Sequence, residues 1–184
     1  MSRIGKKPIL IPEKVEVEVE DNQVIVKGPS GFLSCVVRPE IKIEVKEGKI
    51  FASPRLETKQ TKALWGLTRA LIANMIKGVI SEYKKQLQIE GIGYKAVLEG
   101  NDLVLNVGYT HPVKVTAPAG IKFTVEKNII IISGIDKQLV SATAAKIKKI
   151  KPPEPYKGKG IRYISEIVKK KIGKKAVAVA AGGK

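Results

Sequence analysis

The feature that most restricts how this chain can fold is an internal repeat. Setting Gly28 on Gly108 aligns "NQVIVKG" (22–28) with "NDLVLNVG" (101–108), a shift of 80 residues. The same shift sets Ile41, Ile43 and Val45 on Ile121, Phe123 and Val125. It also sets Ile50 on Ile130, Ser53 on Ser133, Leu64 on Ala144 and Leu67 on Ile147. One gapless offset that spans several kinds of pattern implies two copies of one folding unit.

Within the first copy, "VEVEVE" (15–20) alternates valine with glutamate, the period of a half-buried strand. "NQVIVKG", "GFLSCVV", "IKIEV" (41–45) and "KIFAS" (49–53) follow as further strands. After Pro54 the period changes. Leu64, Leu67, Leu71 and Met75 recur at three or four residues, which predicts an amphipathic helix over 57–76, stopped at Gly78. The second copy predicts a helix over 136–150, shorter because Lys151 falls where Leu71 continues the first apolar stripe. The fold class is therefore α+β: two similar domains from an internal duplication, each an antiparallel sheet covered by one helix. We place them at 1–80 and 81–175, with a flexible small-residue tail at 176–184. Near 80 residues, such a unit buries about 60–70% of its unfolded surface.

Charge is distributed unequally between these parts. The chain carries 34 Lys and Arg against 17 Asp and Glu, a net charge of +17. Residues 1–80 hold 14 basic and 9 acidic side chains, residues 81–145 hold 7 and 6, and residues 146–184 hold 13 and 2. So large an excess repels itself unless an anionic partner neutralises it. Nucleic acid is the first such partner and an acidic membrane surface the second. The membrane reading is the weaker, because the basic segment is rich in proline whereas an interfacial helix needs one strongly apolar face opposite a charged one.

Catalytic groups are scarce. The single histidine, His111 in "GYTHPV", has no second His or Cys to work with, so it reads as a turn or an RNA contact. Cys35 stands alone in a strand-like run and reads as a buried thiol, which excludes an internal disulfide and a multi-cysteine zinc site. "GIGY" (91–94) and "GKGI" (158–161) complete neither G-x-G-x-x-G nor a P-loop, so an enzyme using nucleotide has no support. Glu16, Glu18 and Glu20 read as the solvated face of a strand. No cofactor, metal or small-molecule substrate is expected, and no N-terminal apolar signal is present.

The electrostatic focus contains "KPPEPYKGKGIRY" (151–163). Pro152, Pro153 and Pro155 fix the backbone and lower the entropy lost on docking. The segment is too rich in proline and charge to add much to a core. Gly158 and Gly160 permit positive φ and a close approach to phosphate, between Lys157 and Lys159. Arg162 offers a planar fork for phosphate or base. Tyr156 and Tyr163 offer rings for unpaired bases. Lys151 precedes this loop, and Lys169, Lys170, Lys171, Lys174 and Lys175 follow it as a basic run.

At these residues the chain closely resembles the ribosomal large-subunit protein L six family, in its bacterial or organellar form. The matching pieces are "MSRIGKKPI", "ALWGLTRALIANM" (63–75), "GIGYKA", "GYTHPV" and "PEPYKGKGIRY" (153–163). The resemblance implies a structural, non-catalytic protein that braces large-subunit ribosomal RNA near the stalk base and the translation-factor docking region. Its partners would be that RNA and neighbouring ribosomal proteins, and its location the cytoplasmic ribosome. RNA contacts would centre on Tyr156 to Arg162 and on the later lysines, with the turn at Gly91, Gly93 and Tyr94 as a secondary candidate. Lysine stands at 148, 149, 169 and 170, where the family tends to have arginine.

Overall fold

A computed structural model describes residues 3–20 and 22–173. Two compact units are present: Met1–Tyr83 with Gly134–Lys137, and Lys84–Ser133 with the chain from Gln138 onward.

The first unit contains β1 (Ile9–Leu10), β2 (Glu16–Glu20), β3 (Gln23–Gly28), β4 (Gly31–Val36), β5 (Ile41–Lys46), β6 (Lys49–Pro54) and α1 (Lys59–Ile80). Its strands form two antiparallel sheets, in the orders β2-β3-β4 and β1-β6-β5. Alternation along β3 sends Val24 and Val26 inward, and β6 adds Ile50 and Ala52. Glu16, Glu18 and Glu20 lie on the opposite, exposed face. Thr58 caps α1: its side chain accepts from the Thr61 N–H, and its own N–H donates to Thr61 Oγ1 at 2.9 Å. Trp65, Ile72, Ile76 and Val79 carry the apolar face of α1 into the core, where the Trp65 indole N–H donates to the Ala52 carbonyl.

The helix does not stop at Gly78. It runs to Ile80 and is capped by Ser81, whose N–H donates to the Lys77 carbonyl at 2.9 Å. Gly78 has another purpose. A Cβ there would collide with the Ile135 carbonyl oxygen, so the glycine admits the 134–137 segment against α1.

The second unit contains β7 (Tyr83–Glu90), β8 (Lys95–Glu99), β9 (Asp102–Asn106), β10 (Val113–Val115), β11 (Ile121–Glu126), β12 (Ile129–Gly134), α2 (Lys137–Ile150) and β13 (Gly160–Tyr163). The order β8-β9-β10 repeats β2-β3-β4, and β7-β12-β11 repeats β1-β6-β5. The shift of 80 carries β5 and β6 onto β11 and β12 residue for residue. Duplication thus accounts for the shared topology. Two differences separate the copies. At 14 residues, α2 is shorter than α1 at 22, because Lys151-Pro152-Pro153 cannot continue it. The second unit also gains a strand, since β13 pairs antiparallel with the outer edge of β7.

Candidate nucleic-acid interface

The basic segment is part loop and part sheet. Where α2 ends, the Tyr109 hydroxyl donates to the Ile150 carbonyl at 2.7 Å, and the Lys151 ammonium lies 5.0 Å from the Tyr109 ring centre. After the prolines the chain closes a small loop on itself. The Glu154 N–H donates to the Lys159 carbonyl at 2.8 Å, and the Gly158 N–H donates to the Glu154 carbonyl at 3.0 Å. Gly158 has φ +74°. Tyr156, at 56% exposure, and Lys157 project from this loop into solvent, while Lys159 is half-buried.

Beyond the loop the segment enters the core. Ile161 is fully buried, and its N–H donates to the Lys151 carbonyl at 2.8 Å, so a stretch expected to add little to packing anchors the whole loop. Gly160, at φ +143°, is buried too. A Cβ there would meet the Pro152 carbonyl oxygen at 2.6 Å and the Pro153 Cα at 2.7 Å. Its lack of a side chain therefore admits the protein's own prolines, in place of the phosphate approach expected at that position.

Arg162 and Tyr163 sit on β13 and are partly occupied. The Arg162 fork donates to the Glu90 carboxylate and to Gln88, both on the neighbouring β7, and its Nε is buried without a partner. The Lys148 and Lys85 ammonium groups lie over the Tyr163 ring, at 5.0 and 5.8 Å from its centre. Lys84, Lys85, Gln86, Tyr163, Ile164 and Ser165 line a shallow basic hollow there. Lys148 also forms a 2.7 Å ion pair with Glu166, whose carboxylate accepts from the Tyr163 N–H. That hydrogen-bonded ammonium holds the Glu166 carboxyl below the usual carboxylate range.

The later lysines return to the loop. The Lys171 N–H donates to the Pro155 carbonyl at 2.8 Å, and the Lys170 side chain passes over Gly158. Lys169, Lys170 and Lys171 are all exposed, so their charges join that of Lys157 beside the loop. Lys174, Lys175 and the 176–184 tail lie outside the described residues.

The secondary candidate turn belongs to the same surface. Gly91 and Tyr94 close it, with the Tyr94 N–H donating to the Gly91 carbonyl at 3.3 Å, and Gly93 has φ +75° in open space. The Tyr94 ring packs on Gly91 and Gly108, where added Cβ atoms would lie 2.5 and 3.2 Å from it. Tyr94, Tyr109, Lys151, Pro152, Glu154 and Lys159 then line an open groove of about 470 Å³. Three separate sequence motifs meet in it. Sequence alone does not single out Tyr109 or Glu154. For Tyr109 the available signal is its place between Gly108 and the turn that ends in Pro112. His111 is exposed beside them, and among the described residues no group of three His, Cys, Asp or Glu gathers for a metal.

The loop thus presents the exposed side chains of Tyr156, Lys157 and Lys169–Lys171 on a backbone fixed by its own hydrogen bonds. Comparison with known proteins decides the family. The ribosomal protein L6 family model matches residues 11–82 and 90–164, once on each repeat. The chain belongs to that family. It is 50% identical to the large ribosomal subunit protein uL6 of Trichodesmium erythraeum, over 95% of this chain and 98% of that one. It is 49% identical to the uL6c protein of Guillardia theta and 48% identical to the uL6 protein of Natranaerobius thermophilus, with the same coverage. L6 proteins are structural and not enzymes, in keeping with the want of catalytic groupings read from the sequence.

Proposed function

We propose that this chain is a structural constituent of the large ribosomal subunit that braces ribosomal RNA through its second unit. The observation that carries the reading is the convergence of Lys151, Tyr156, Lys157, Lys159 and Lys169–Lys171 on one hydrogen-bonded loop, itself anchored by Ile161. The full-length identity to large-subunit proteins supports it. Lysines there neutralise phosphates without demanding fixed geometry, and the exposed Tyr156 ring stacks on unpaired bases. Arg162 contributes mainly by holding β13 to β7, with its outer edge left for RNA. Lys174 and Lys175 extend the same charge along the sequence. A position near the stalk base, beside the translation-factor docking region and its neighbouring proteins, is supported by the resemblance of "PEPYKGKGIRY" and "GYTHPV" to the family's signatures. The protein then resides with ribosomes in the cytoplasm or organelle.

Replacing Lys157 and Lys159 together with alanine tests the interface. Binding to deproteinised large-subunit ribosomal RNA should weaken. The slope of log affinity against log salt should flatten by up to roughly 0.7–0.9 for each phosphate no longer neutralised. An unchanged slope means these side chains do not face the RNA.

A further inference from the structure

The groove between the turn at Gly91–Tyr94, the Gly108–His111 turn and the basic loop holds a group that phosphate binding does not explain. Glu154 is one of only two acidic residues after position 145, and it lines the groove between Lys151 and Lys159. The loop does not use its carboxylate: among the described residues Glu154 forms no ion pair and no side-chain hydrogen bond, and only its backbone closes the loop. A free carboxylate repels phosphate, so at this place it suits a partner that offers N–H donors. Two ring systems line the groove with it. Tyr94 is fixed on two glycines, and Tyr109 is fixed by its hydroxyl bond to Ile150. The volume falls within the range of about 300–1,000 Å³ typical of small-molecule sites.

We propose that this groove receives one unpaired RNA base and that the Glu154 carboxylate selects guanine. The proposal rests on the ribosomal RNA reading above and gives it a base-specific contact. Unpaired bases are recognised by stacking and by hydrogen bonds to their Watson–Crick edges. Guanine alone presents two adjacent donors there, N1–H and the N2 amino group, matching the two oxygens of a carboxylate. Adenine and cytosine place a ring-nitrogen acceptor beside their amino group, and uracil flanks its single N–H with two carbonyls, so each sets an acceptor against the carboxylate. Lys151 and Lys159 neutralise the phosphates on either side of the inserted nucleotide. Glu154 is a specificity-determining residue on this account, and the tyrosines supply sequence-tolerant affinity.

The test uses the full chain and four single-stranded RNA pentamers, U-U-G-U-U and its A, C and U counterparts, at raised salt where phosphate attraction is screened. Fluorescence anisotropy should show the guanine pentamer bound roughly five- to a hundredfold tighter than the rest, the discrimination expected of a bidentate contact. Glu154→Gln should erase that preference and move it toward adenine, because the amide accepts from N6 and donates to N1. Tyr109→Leu should weaken all four pentamers alike, with circular dichroism confirming the fold. Equal wild-type affinities, a guanine preference that survives Glu154→Gln, or full affinity in Tyr109→Leu overturns the proposal. Binding of deproteinised large-subunit RNA at low salt is measured alongside. If wild type binds that RNA but shows no base preference, only the guanine subsite falls. If it fails to bind that RNA, the ribosomal reading falls with it.

Discussion

Gly160 shows how a residue's role depends on what lies beside it. At φ +143°, with the Pro152 carbonyl and Pro153 Cα where its Cβ would be, any side chain forces β13 away from the prolines. Gly160→Ala should therefore destabilise the second unit by more than about 1 kcal/mol, read as a lowered denaturation midpoint with no RNA present. A midpoint unchanged from wild type would return Gly160 to the role of a phosphate approach. Glu166 makes a pH-dependent contribution of a different chemical kind. Hydrogen-bonded to Lys148, its carboxyl titrates below its unfolded value, so the stabilisation is present above the unfolded carboxylate pKa. It is lost as pH falls through the depressed folded value. Glu166→Gln should accordingly lower the melting temperature at neutral pH, and the gap to wild type should close in acid. A gap independent of pH would mean that the amide fails for reasons of shape.

At the scale of elements, the decisive addition is β13. Its pairing with β7 converts a three-stranded sheet into a four-stranded one and fastens the basic loop to the core through Ile161. Ile161→Ala should cost about 2–5 kcal/mol, the usual loss for a buried large aliphatic residue. It should also loosen the loop, so RNA affinity should fall although no charge has changed. Comparing denaturant midpoints with RNA titrations checks both effects, and undiminished stability would contradict the burial of Ile161. The kinds of element were readable because alternation and 3.6-residue spacing are local. The buried face of α1 was not: of the expected stripe Leu64, Leu67, Leu71 and Met75 only Met75 is buried, and Leu67 is 54% exposed. Trp65, Ile72, Ile76 and Val79 face the sheets instead. The end of α1 was not readable either, since whether Gly78 stops a helix or admits a neighbour depends on Ile135, which is far away in sequence.

For the whole molecule, duplication supplied two units of one topology, and the later charge excess falls on the second. Two truncations test how far the charge beyond the loop matters. Removing 169–184 takes away Lys169–Lys171, which the Lys171–Pro155 bond sets beside the loop, together with Lys174 and Lys175. Occupancy in purified large subunits should fall, most visibly at raised salt, where competing counterions weaken the fewer phosphate interactions that remain. Removing only 176–184, which has a single charged side chain, should leave occupancy nearly unchanged. Equal occupancy for the two truncated chains would reduce the lysine run to a solvated end.

By itself the sequence determined the repeat, the α+β class, the strand and helix periods and the seat of the positive charge. All of these arise from composition, from residues a few positions apart or from a nearly constant offset. That offset is 80 for β5 and β6 but 79 for the first hairpin, where Glu20–Gln23 answers to Glu99–Asp102. The tertiary structure decided which of the candidate side chains remain available. Arg162 is drawn to Glu90 and Gln88 only because β13 pairs with β7 in that register. Tyr94, Tyr109 and Glu154 share a groove only because α2 ends where Tyr109 can cap it and the prolines turn the chain back. Such placements depend on packing between segments tens of residues apart, and no local period encodes them.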